Sequence, residues 1–509
     1  MQRKAINKRS LLSLACAAML LNACSSNEVQ NSAELGHTVP AQGRNVILFL
    51  GDGMGISTIT AARIFAGQQQ GLPGESYELS FEKFPHVALS KTYNTDQQVP
   101  DSAGTMSAIM TGTKTRAGVI SIQPEPGRGA CADSRQQEAM TLLELAEMTG
   151  MNTGVISTAR LTHATPAATY AHAAERGWED DSGLSGAARI EGCADIARQL
   201  IEFPYGDGPE IAMGGGRRAF IPVGQIDPEY DDKVGRRQDG RNLVNEWLET
   251  RDDSHYAWNQ ETFEAAFASD EGAILGLFEP SHMQFEHDRV ATGSGEPSLE
   301  AMTRAAIQRL NDLDEPYFLM VEGGRIDHAH HGGNAYRALS ETVAMADAVA
   351  AAVELTNDQE TLIVVTADHS HVFTIAGYPQ RGNPILGLAH GHRNDEPADE
   401  PMHAQDGHPY TTVGYMNGPG YREQRGPITQ EEALDPDFRQ PSHIPLESET
   451  HGGEDVAIFA QGPGSHEIHG VMEQNEIFFA LMKSQPKLFK RWQKINKKHG
   501  WPVDPDVLD

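Results

Sequence analysis

The chain has 509 residues, 39% of them hydrophobic, and a formal net charge of −31 at pH 7. These values exclude a largely disordered chain, and the negative charge argues against nucleic acid or anionic lipid as the main partner. If the ligand is an anion, the local positive charge must come from metal ions or from a few Arg and Lys residues. The length allows two or three domains, or one large α/β domain with insertions.

Residues 1–23 predict an export signal. The basic start MQRKAINKRS precedes the apolar stretch LLSLACAAMLLNA, which is too short to span a bilayer comfortably. The stretch ends in LNAC, which resembles a bacterial lipobox and predicts acylation of Cys24 on a periplasmic or cell-surface lipoprotein. A plain secretory signal is the alternative. Residues 24–43 are polar and predict a flexible tether, so we expect membrane contact only through the lipid.

The cysteine content fits an exported protein. Cys16 is removed with the signal and Cys24 would carry the lipid, which leaves Cys131 and Cys193 as one even pair. Because exported proteins fold in an oxidising compartment, we predict a disulfide between these two residues. Two free thiols are the alternative.

Apolar runs that end in acidic residues indicate the fold. NVILFLGDG, YFLMVEGG and TLIVVTADHSH lead to Asp52, Glu322 and Asp368, and another strand pattern covers roughly residues 153–158. Helical patterns alternate with these runs, which predicts an α/β three-layer sandwich with a large, mostly parallel central sheet flanked by helices. Because ligands bind beyond the carboxyl ends of such strands, we expect the three acids to meet at one sheet edge.

The domain organisation follows from composition. We assign the catalytic α/β domain to residues 44–377 and 448–485. Residues 378–447 are rich in Gly, Pro, Asp, Glu and His and predict an inserted surface subdomain, because apolar strand material returns in EDVAIFAQGPG. Residues 486–509 predict a basic helix with an aromatic seam, followed by a tail. A solvated terminal helix is favoured there over a partner site.

Three short motifs carry metal-ligand chemistry. In GRIDHAHHGG, Asp327 and His331 stand at i and i+4, which puts both on one helix face as half of a metal site. In ADHSH, Asp368 and His369 can bind one ion only if the chain has left the strand, since strand neighbours point to opposite faces. In GDGMG, glycines beside Asp52 let a metal or phosphate approach the backbone. The alternative is a solvated loop for the first motif and a strand end with a helix cap for the second, while GDGMG does not match the G-x-G-x-x-G dinucleotide fingerprint.

Ser102 is the candidate nucleophile. It lies in VPDSAGTMSAIMTG before an apolar-periodic helix, which predicts an N-cap serine. The cap position is compatible with nucleophilicity, because amides and the dipole at a helix N-terminus favour an anion. The segment THATPAATYAHAAERGW adds His163, Thr165 and Arg176, and a guanidinium can hold two phosphate oxygens. An ordinary surface arginine is the alternative.

Taken together, the motifs DGMG, VPDSAGT, THATPAATYAH, VEGGRIDHAHH, TADHSH and ETHGGEDVAIFA resemble the alkaline phosphatase family. They occur in the family's order over roughly residues 43–480, and they are most similar to its animal-type branch. The resemblance implies hydrolysis of small phosphate monoesters through a phosphoserine, at a site with two zinc ions and one magnesium ion. It also implies a homodimer.

The resemblance implies a role for each site residue. Ser102 would be the nucleophile and Arg176, oriented by Asp101, would bind phosphate. Three metal sites are implied, and their ligands are Asp327, His331 and His451 for the first zinc, Asp52, Asp368, His369 and Ser102 for the second, and Asp52, Thr165 and Glu322 for magnesium. Three further histidines match positions near the metals and the phosphate, namely His163, His328 and His371.

Other features carry over less completely. A family calcium site is matched by Glu229, the Phe278 carbonyl, Glu279 and Glu296, the last standing where the family often has Asp. Cys131 and Cys193 match a family disulfide. Residues 378–447 lie where the family has its crown insertion, but their sequence departs most, so no function is transferred to them.

Three alternative functions would require different residues or metals. A sulfatase needs a modified Cys or Ser in a C/S-x-P-x-R setting, whereas Ser102 lies in DSAGT. A phosphodiesterase needs neither Arg176 nor a third metal. A non-catalytic metal- or phosphate-binding lipoprotein would keep the ligands but not need Ser102. We expect a phosphomonoesterase with an alkaline pH optimum.

Overall fold

The structure is a computed structural model that describes residues 43–393 and 396–499. The predicted signal, Cys24, residues 24–42 of the tether and the tail after residue 499 lie outside the described residues. Within the described part, no helix has the length and apolar character needed to cross a membrane.

The described strands form one ten-stranded sheet and three small sheets. Their bounds are β1 (Asn45–Gly51), β2 (His86–Lys91), β3 (Asn152–Arg160), β4 (Ile211–Gly215), β5 (His255–Ala257), β6 (Ile274–Leu277), β7 (Tyr317–Gly323), β8 (Thr361–Ala367), β9 (Ser370–His371), β10 (Phe373–Ile375), β11 (His392–Arg393), β12 (Glu396–Pro397), β13 (Val413–Gly418), β14 (Ser442–Pro445), β15 (His451–Gly452), β16 (Val456–Gln461) and β17 (Gly470–Glu473).

The large sheet has the strand order β17-β2-β16-β8-β1-β7-β3-β4-β6-β5. Every neighbouring pair is parallel except the two that include β16, which runs opposite to β8 and β2. The prediction of a mostly parallel central sheet is therefore confirmed. Since β8, β1 and β7 are neighbours, their carboxyl ends lie side by side.

Helices cover both faces of this sheet. Ile47 and Leu48, adjacent on β1, belong to two separate apolar cores, because successive strand residues point to opposite faces. The predicted three-layer arrangement is thus present. The helices are α1 (Ile56–Gln69), α2 (Ser102–Thr111), α3 (Cys131–Ser134), α4 (Leu142–Glu147), α5 (Ala164–Tyr170), α6 (Gly186–Glu191), α7 (Ile196–Ile201), α8 (Leu243–Thr250), α9 (Gln260–Phe267), α10 (Glu286–Thr292), α11 (Leu299–Asp312), α12 (Arg325–His331), α13 (Ala335–Leu355), α14 (Gln430–Leu434), α15 (Glu476–Lys483) and α16 (Pro486–His499).

The segment 378–447 has a small core of its own and also joins the main body. A separate apolar cluster lies within it, made of Leu388, Ile428, Ala433 and Phe438. Its strand β13 pairs with β10, which precedes the predicted boundary, and with β14. Val413 of β13 reaches the core on one face of the central sheet. The predicted limits of this subdomain remain a prediction.

The terminal helix α16 is more firmly packed than the sequence suggested. Leu488 and Ile495 are buried, and Phe489 and Trp492 pack against the same core, so the aromatic seam faces the protein. Only the basic side faces solvent. The expectation of a simply solvated helix was wrong, because an apolar stripe at helical spacing binds a helix to the core.

Candidate active site

The three acids at strand ends meet at one sheet edge, as the sequence predicted. Asp52 follows β1, Glu322 lies near the end of β7 and Asp368 follows β8, and all three are fully buried. The imidazole Nε2 of His369 lies 3.4 Å from Asp52 Oδ1 and 3.4 Å from Asp368 Oδ2. This edge is therefore the centre of the candidate active site.

Ser102 lies directly beside this cluster, at the N-terminus of α2. Its Oγ is 3.1 Å from Nε2 of His369 and 3.5 Å from Oδ1 of Asp52. The prediction that Ser102 is the N-cap was wrong: Asp101 is the cap, and its Oδ1 accepts a hydrogen bond of 3.2 Å from the Gly104 amide. A carboxylate caps as well as a hydroxyl does, which leaves the Ser102 hydroxyl free to face the cluster.

Asp101 also holds Arg176, as predicted. A guanidinium nitrogen of Arg176 donates to Asp101 Oδ2 at 2.6 Å, and the Gly118 amide donates to Oδ1 at 2.7 Å. Burial opposes ionisation of Asp101, but Arg176 and the Gly118 and Gly104 amides outweigh it and lower its pKa. Arg176 lies in a turn after α5 and not on a helix. Its position is therefore fixed by this partly buried ion pair.

A first metal-capable group joins α12 to β15. Asp327 Oδ1 lies 3.3 Å from His331 Nε2 and 3.4 Å from His451 Nε2, and the two Nε2 atoms are 3.1 Å apart. The i and i+4 positions on α12 place Asp327 and His331 on one face, as expected. Pairing of β15 with β9 sets His451 opposite His371 and so brings it into the site.

A second group consists of Asp52, Asp368 and His369, whose ligand atoms lie within 4.8 Å of one another. Strand β8 ends at Ala367, so the chain has left the strand before Asp368, which was the condition for one ion to contact both neighbours. The Asp368 carboxylate accepts from the Gly53 amide and from Thr105 Oγ1, each at 3.1 Å. These bonds fix its orientation.

A third group surrounds Asp52 and Glu322, and a ring nitrogen of His163 lies within 4.8 Å of their carboxylate oxygens. Asp52 Oδ2, Thr165 Oγ1 and Glu322 Oε1 are buried side-chain atoms with no hydrogen-bond partner among the described residues. The other carboxylate oxygen of Glu322 accepts from Ser157. Buried polar atoms are nearly always paired, so these unpartnered oxygens fit a cation site. The three oxygens by themselves suit magnesium.

The electrostatics of the site agree with bound cations. Burial raises the pKa of Asp52 well above its usual range, and Asp368, Asp327 and Glu322 raise it further. Burial and the same aspartates raise the pKa of Glu322 to about 8. Carboxylates buried this close together stay ionised only when positive charge offsets their repulsion.

Three histidine rings line the Arg176 side of the site. His163 Nε2 lies 3.1 Å from a guanidinium nitrogen of Arg176, and its ring centroid is 5.4 Å from that of His328. The ring of His282, which the sequence did not single out, lies 4.0 Å from that of His328 and is tilted by 55° to it. Burial lowers the pKa of His163 and His328, the latter to about 3, so both rings are neutral. No motif signalled His282.

Glu449 is a second residue that the sequence missed. Its Oε2 lies 2.6 Å from His371 Nδ1, and its backbone carbonyl lies 2.6 Å from His331 Nδ1. The opposite nitrogen of His371 lies 2.9 Å from Asp327 Oδ1. Glu449 stands two positions before His451 in the quoted motif ETHGG, so the signal was its proximity to a predicted ligand.

The predicted calcium residues lie apart from this centre. Glu229 is paired with Arg217 at 2.9 Å, and Glu296 Oε2 is buried without a partner in the described part of the chain. Burial and the nearby Glu279 raise the pKa of Glu296 to about 8. The Glu229, Glu279 and Glu296 carboxylates do not form a metal-capable group within 4.8 Å among the described residues, so the calcium site remains a prediction, as does the contribution of the Phe278 carbonyl.

The predicted disulfide is present in the structure. Cys131 begins α3 and is joined to Cys193, with 6.3 Å between their Cα atoms. The bond links two parts of the chain separated by 62 residues. It ties α3 to the loop that follows α6.

The fold and the site define a metallohydrolase in which a buried serine, an arginine and three metal-capable groups share one sheet edge. Comparison with known proteins makes this assignment specific. The alkaline phosphatase family model matches residues 43–486, and the chain belongs to the alkaline phosphatase family. It is therefore an enzyme that hydrolyses phosphate monoesters.

Among the relatives are tissue-nonspecific alkaline phosphatase isozymes. The one from Felis catus is 45% identical over 444 residues, covering 85% of this chain and 82% of the relative. The one from Gallus gallus is 44% identical over 464 residues, covering 89% and 86%. Alkaline phosphatases from the Antarctic bacterium TAB5 and from Thermus thermophilus share the fold. The TAB5 enzyme has a TM-score of 0.60 at 23% identity, and the comparison covers 88% of this chain and 99% of that one. The Thermus thermophilus enzyme has a TM-score of 0.61 at 21% identity, and the comparison covers 89% of this chain and 97% of that one.

Proposed function

We propose that this chain hydrolyses phosphate monoesters through a phosphoserine at Ser102, with two zinc ions and one magnesium ion. The observation that carries the proposal is the position of Ser102 Oγ, 3.1 Å from His369 Nε2 and 3.5 Å from Asp52 Oδ1. The nucleophile thus touches one of the metal-capable groups, and no separate general base is needed to explain its place.

The donor atoms support this choice of ions. Asp327, His331 and His451 would hold one zinc and Asp52, Asp368 and His369 the other, since zinc favours imidazole and carboxylate ligands. The unpartnered oxygens of Asp52, Thr165 and Glu322 would hold magnesium. When bound, the ions supply positive charge to the attacking and leaving oxygens of an in-line displacement.

The residues of the chain then carry out two substitutions at phosphorus. Ser102 Oγ bonds to phosphorus as the ester P–O bond breaks, and its hydroxyl proton leaves with the alcohol. Water next attacks the phosphoserine, which restores Ser102 and releases inorganic phosphate. The backbone amides at the N-terminus of α2 would stabilise the phosphoryl group carried by Ser102. The Arg176 guanidinium, which Asp101 orients, would bind the non-bridging oxygens of that group.

The test is turnover and metal content of the purified enzyme, with Ser102→Ala beside it. Ser107→Ala is the control, because Ser107 lies five residues further along α2, where its hydroxyl donates to the Ala103 carbonyl and accepts from the Ser121 amide instead of facing the site. We expect Ser102→Ala to lose monoester turnover by several orders of magnitude while it still binds zinc and magnesium. Full turnover in Ser102→Ala would refute the proposal. A diester hydrolysed faster than a monoester would favour the phosphodiesterase alternative.

We further propose that the chain is exported, anchored through acylated Cys24 and active as a homodimer. The lipobox-like LNAC supports the anchor, and the Cys131–Cys193 disulfide fits an oxidising compartment. Labelling with a fatty acid should depend on Cys24. Sedimentation of the purified enzyme should give twice the mass of one chain.

A further inference from the structure

Helix α16 carries a dense positive charge on an acidic protein. Six of the 40 Lys and Arg residues of the chain lie in its 14 residues, which contain no Asp or Glu. All five of its lysines are exposed, and none forms an ion pair within the part of the chain that the structure describes. They are Lys487, Lys490, Lys494, Lys497 and Lys498. We call these five lysines the basic face.

The basic face is held outward by tertiary packing. Leu488 and Ile495 on the opposite side of α16 are buried in the core, so the helix is docked in one orientation. Beside it runs a groove of about 670 Å³ with a mixed lining, to which Phe489 and Trp492 contribute from α16 and Glu467 and Glu476 from neighbouring segments. Because the apolar side of α16 is packed against the core, the lysines are the part of the helix that a membrane could contact, and the contact would be electrostatic.

Nearby acids cancel only part of this charge. Glu476, which lines the groove beside α16, is exposed and forms no ion pair among the described residues, but the five lysines outnumber it. Glu467 is paired with Lys483 at 2.9 Å, and Glu473 lies between Lys91 and Lys114 at 2.7 and 3.0 Å. Acids elsewhere on the protein are screened beyond a Debye length of about 8 Å. The net charge of −31 therefore does not describe the field next to α16.

Gly43, the first described residue, lies next to the start of α16. A Cβ on Gly43 would lie 3.0 Å from the Ser484 carbonyl and 3.3 Å from the Gln485 side chain, directly before α16 begins at Pro486. Eighteen residues lie between Cys24 and Gly43. A segment of that length reaches at most about 65 Å. A lipid on Cys24 would thus keep the start of α16 within that distance of the membrane.

We propose that the basic face binds the anionic lipid headgroups of the membrane that carries the enzyme. Clusters of four to eight Lys or Arg residues on an amphipathic helix bind anionic lipid, and the tether raises their local concentration. The contact would set the orientation of the enzyme on the surface. It requires no change at the active site.

The test is co-flotation, with lipid vesicles, of the chain from residue 24 onward carrying Cys24→Ser, which has neither the signal nor the lipid. We expect binding to vesicles of phosphatidylcholine mixed with phosphatidylglycerol, weaker binding to phosphatidylcholine alone, and release by high salt. The signal is left out because its basic start, MQRKAINKRS, would itself favour anionic vesicles.

Two double variants make the test specific. Lys490→Gln with Lys494→Gln should weaken binding to the anionic vesicles by about fivefold per lysine. Lys83→Gln with Lys233→Gln, which removes two exposed lysines outside this face, should not. Monoester turnover should be unchanged in both pairs, which confirms folding. Equal flotation of the two pairs would overturn the proposal, as would binding to heparin without binding to the anionic vesicles.

Discussion

The carboxylate of Glu449 lies 2.6 Å from Nδ1 of His371, and Nε2 of His371 lies 2.9 Å from Asp327. The main-chain carbonyl of Glu449 simultaneously faces Nδ1 of His331 at 2.6 Å. One residue therefore orients two imidazoles next to the Asp327 group. Partners of this kind fix the tautomer and the direction of metal-binding histidines.

We predict that Glu449→Gln lowers the affinity of the enzyme for zinc by roughly 10- to 100-fold, because the His371 ring loses its charged partner. The measurement is zinc retained after dialysis against graded concentrations of a chelator. Glu447→Gln, an exposed neighbour, serves as the control. Equal retention by the two variants would contradict the positioning role of Glu449.

The second prediction concerns Asp101 and Arg176. Asp101→Asn keeps a side chain that can cap α2 but removes the charge that holds Arg176 at 2.6 Å. Since Arg176 is assigned to phosphate binding, we expect KM for a monoester to rise roughly tenfold, with a smaller change in kcat. Steady-state kinetics measure both constants. Glu175→Gln, which breaks the exposed pair with Arg128, should leave KM unchanged, and a purely kcat effect of Asp101→Asn would count against the assignment.

A pair of acids far from the site predicts a pH dependence of stability. Glu147 Oε1 and Glu210 Oε2 both accept from Thr153, at 2.5 and 2.6 Å. Burial and the nearby Glu147 raise the pKa of Glu210 to about 8 from an ordinary value of 4.5. The folded state thus binds more protons than the unfolded state between these values, and stability falls as the pH rises from about 4.5 to about 8.

Glu210→Gln should therefore stabilise the protein above pH 8 and have little effect near pH 4.5, because glutamine is neutral throughout. We expect a gain in the free energy of unfolding on the order of 1 kcal/mol at alkaline pH. Thermal unfolding at several pH values measures it. Glu264→Gln on the exposed side of α9 is the control. An equal change in the stability of Glu210→Gln near pH 4.5 and above pH 8 would refute the electrostatic explanation.

The disulfide is expected to contribute strongly to stability. It closes a loop of 62 residues, so the chain-entropy estimate for its loss is about 4 kcal/mol. Cys131→Ala with Cys193→Ala should lower the denaturant midpoint accordingly, while a reductant should have no further effect on that variant. An unchanged midpoint would show that the bond does not form in the purified protein.

Much of the fold and the site could be predicted from the sequence. The runs before Asp52, Glu322 and Asp368 are continuous apolar strands, and parallel strands end at one edge, so their meeting followed from topology. The Asp327 and His331 spacing likewise fixed a shared helix face. Residue spacing was sufficient wherever a single helix or strand sets the relative positions of the residues.

The remainder depended on contacts between distant segments. Asp101 and Ser102 both suit an N-cap, and only the folded helix shows that Asp101 takes that place. Glu449 and His282 contribute through tertiary contacts with histidines more than a hundred and about fifty residues away, for which no local pattern exists. The apolar stripe of α16 was visible, but the core that it packs against was not.

The central claim is that phosphate is transferred to Ser102. The most direct measurement is to quench the enzyme with acid during turnover of a monoester and to locate the bound phosphate by mass spectrometry. We expect phosphate on Ser102 in the wild type, and none on the peptide from Ser102→Ala. Phosphate on a different residue, or turnover with no phosphorylated protein at any quench time or pH, would contradict the account.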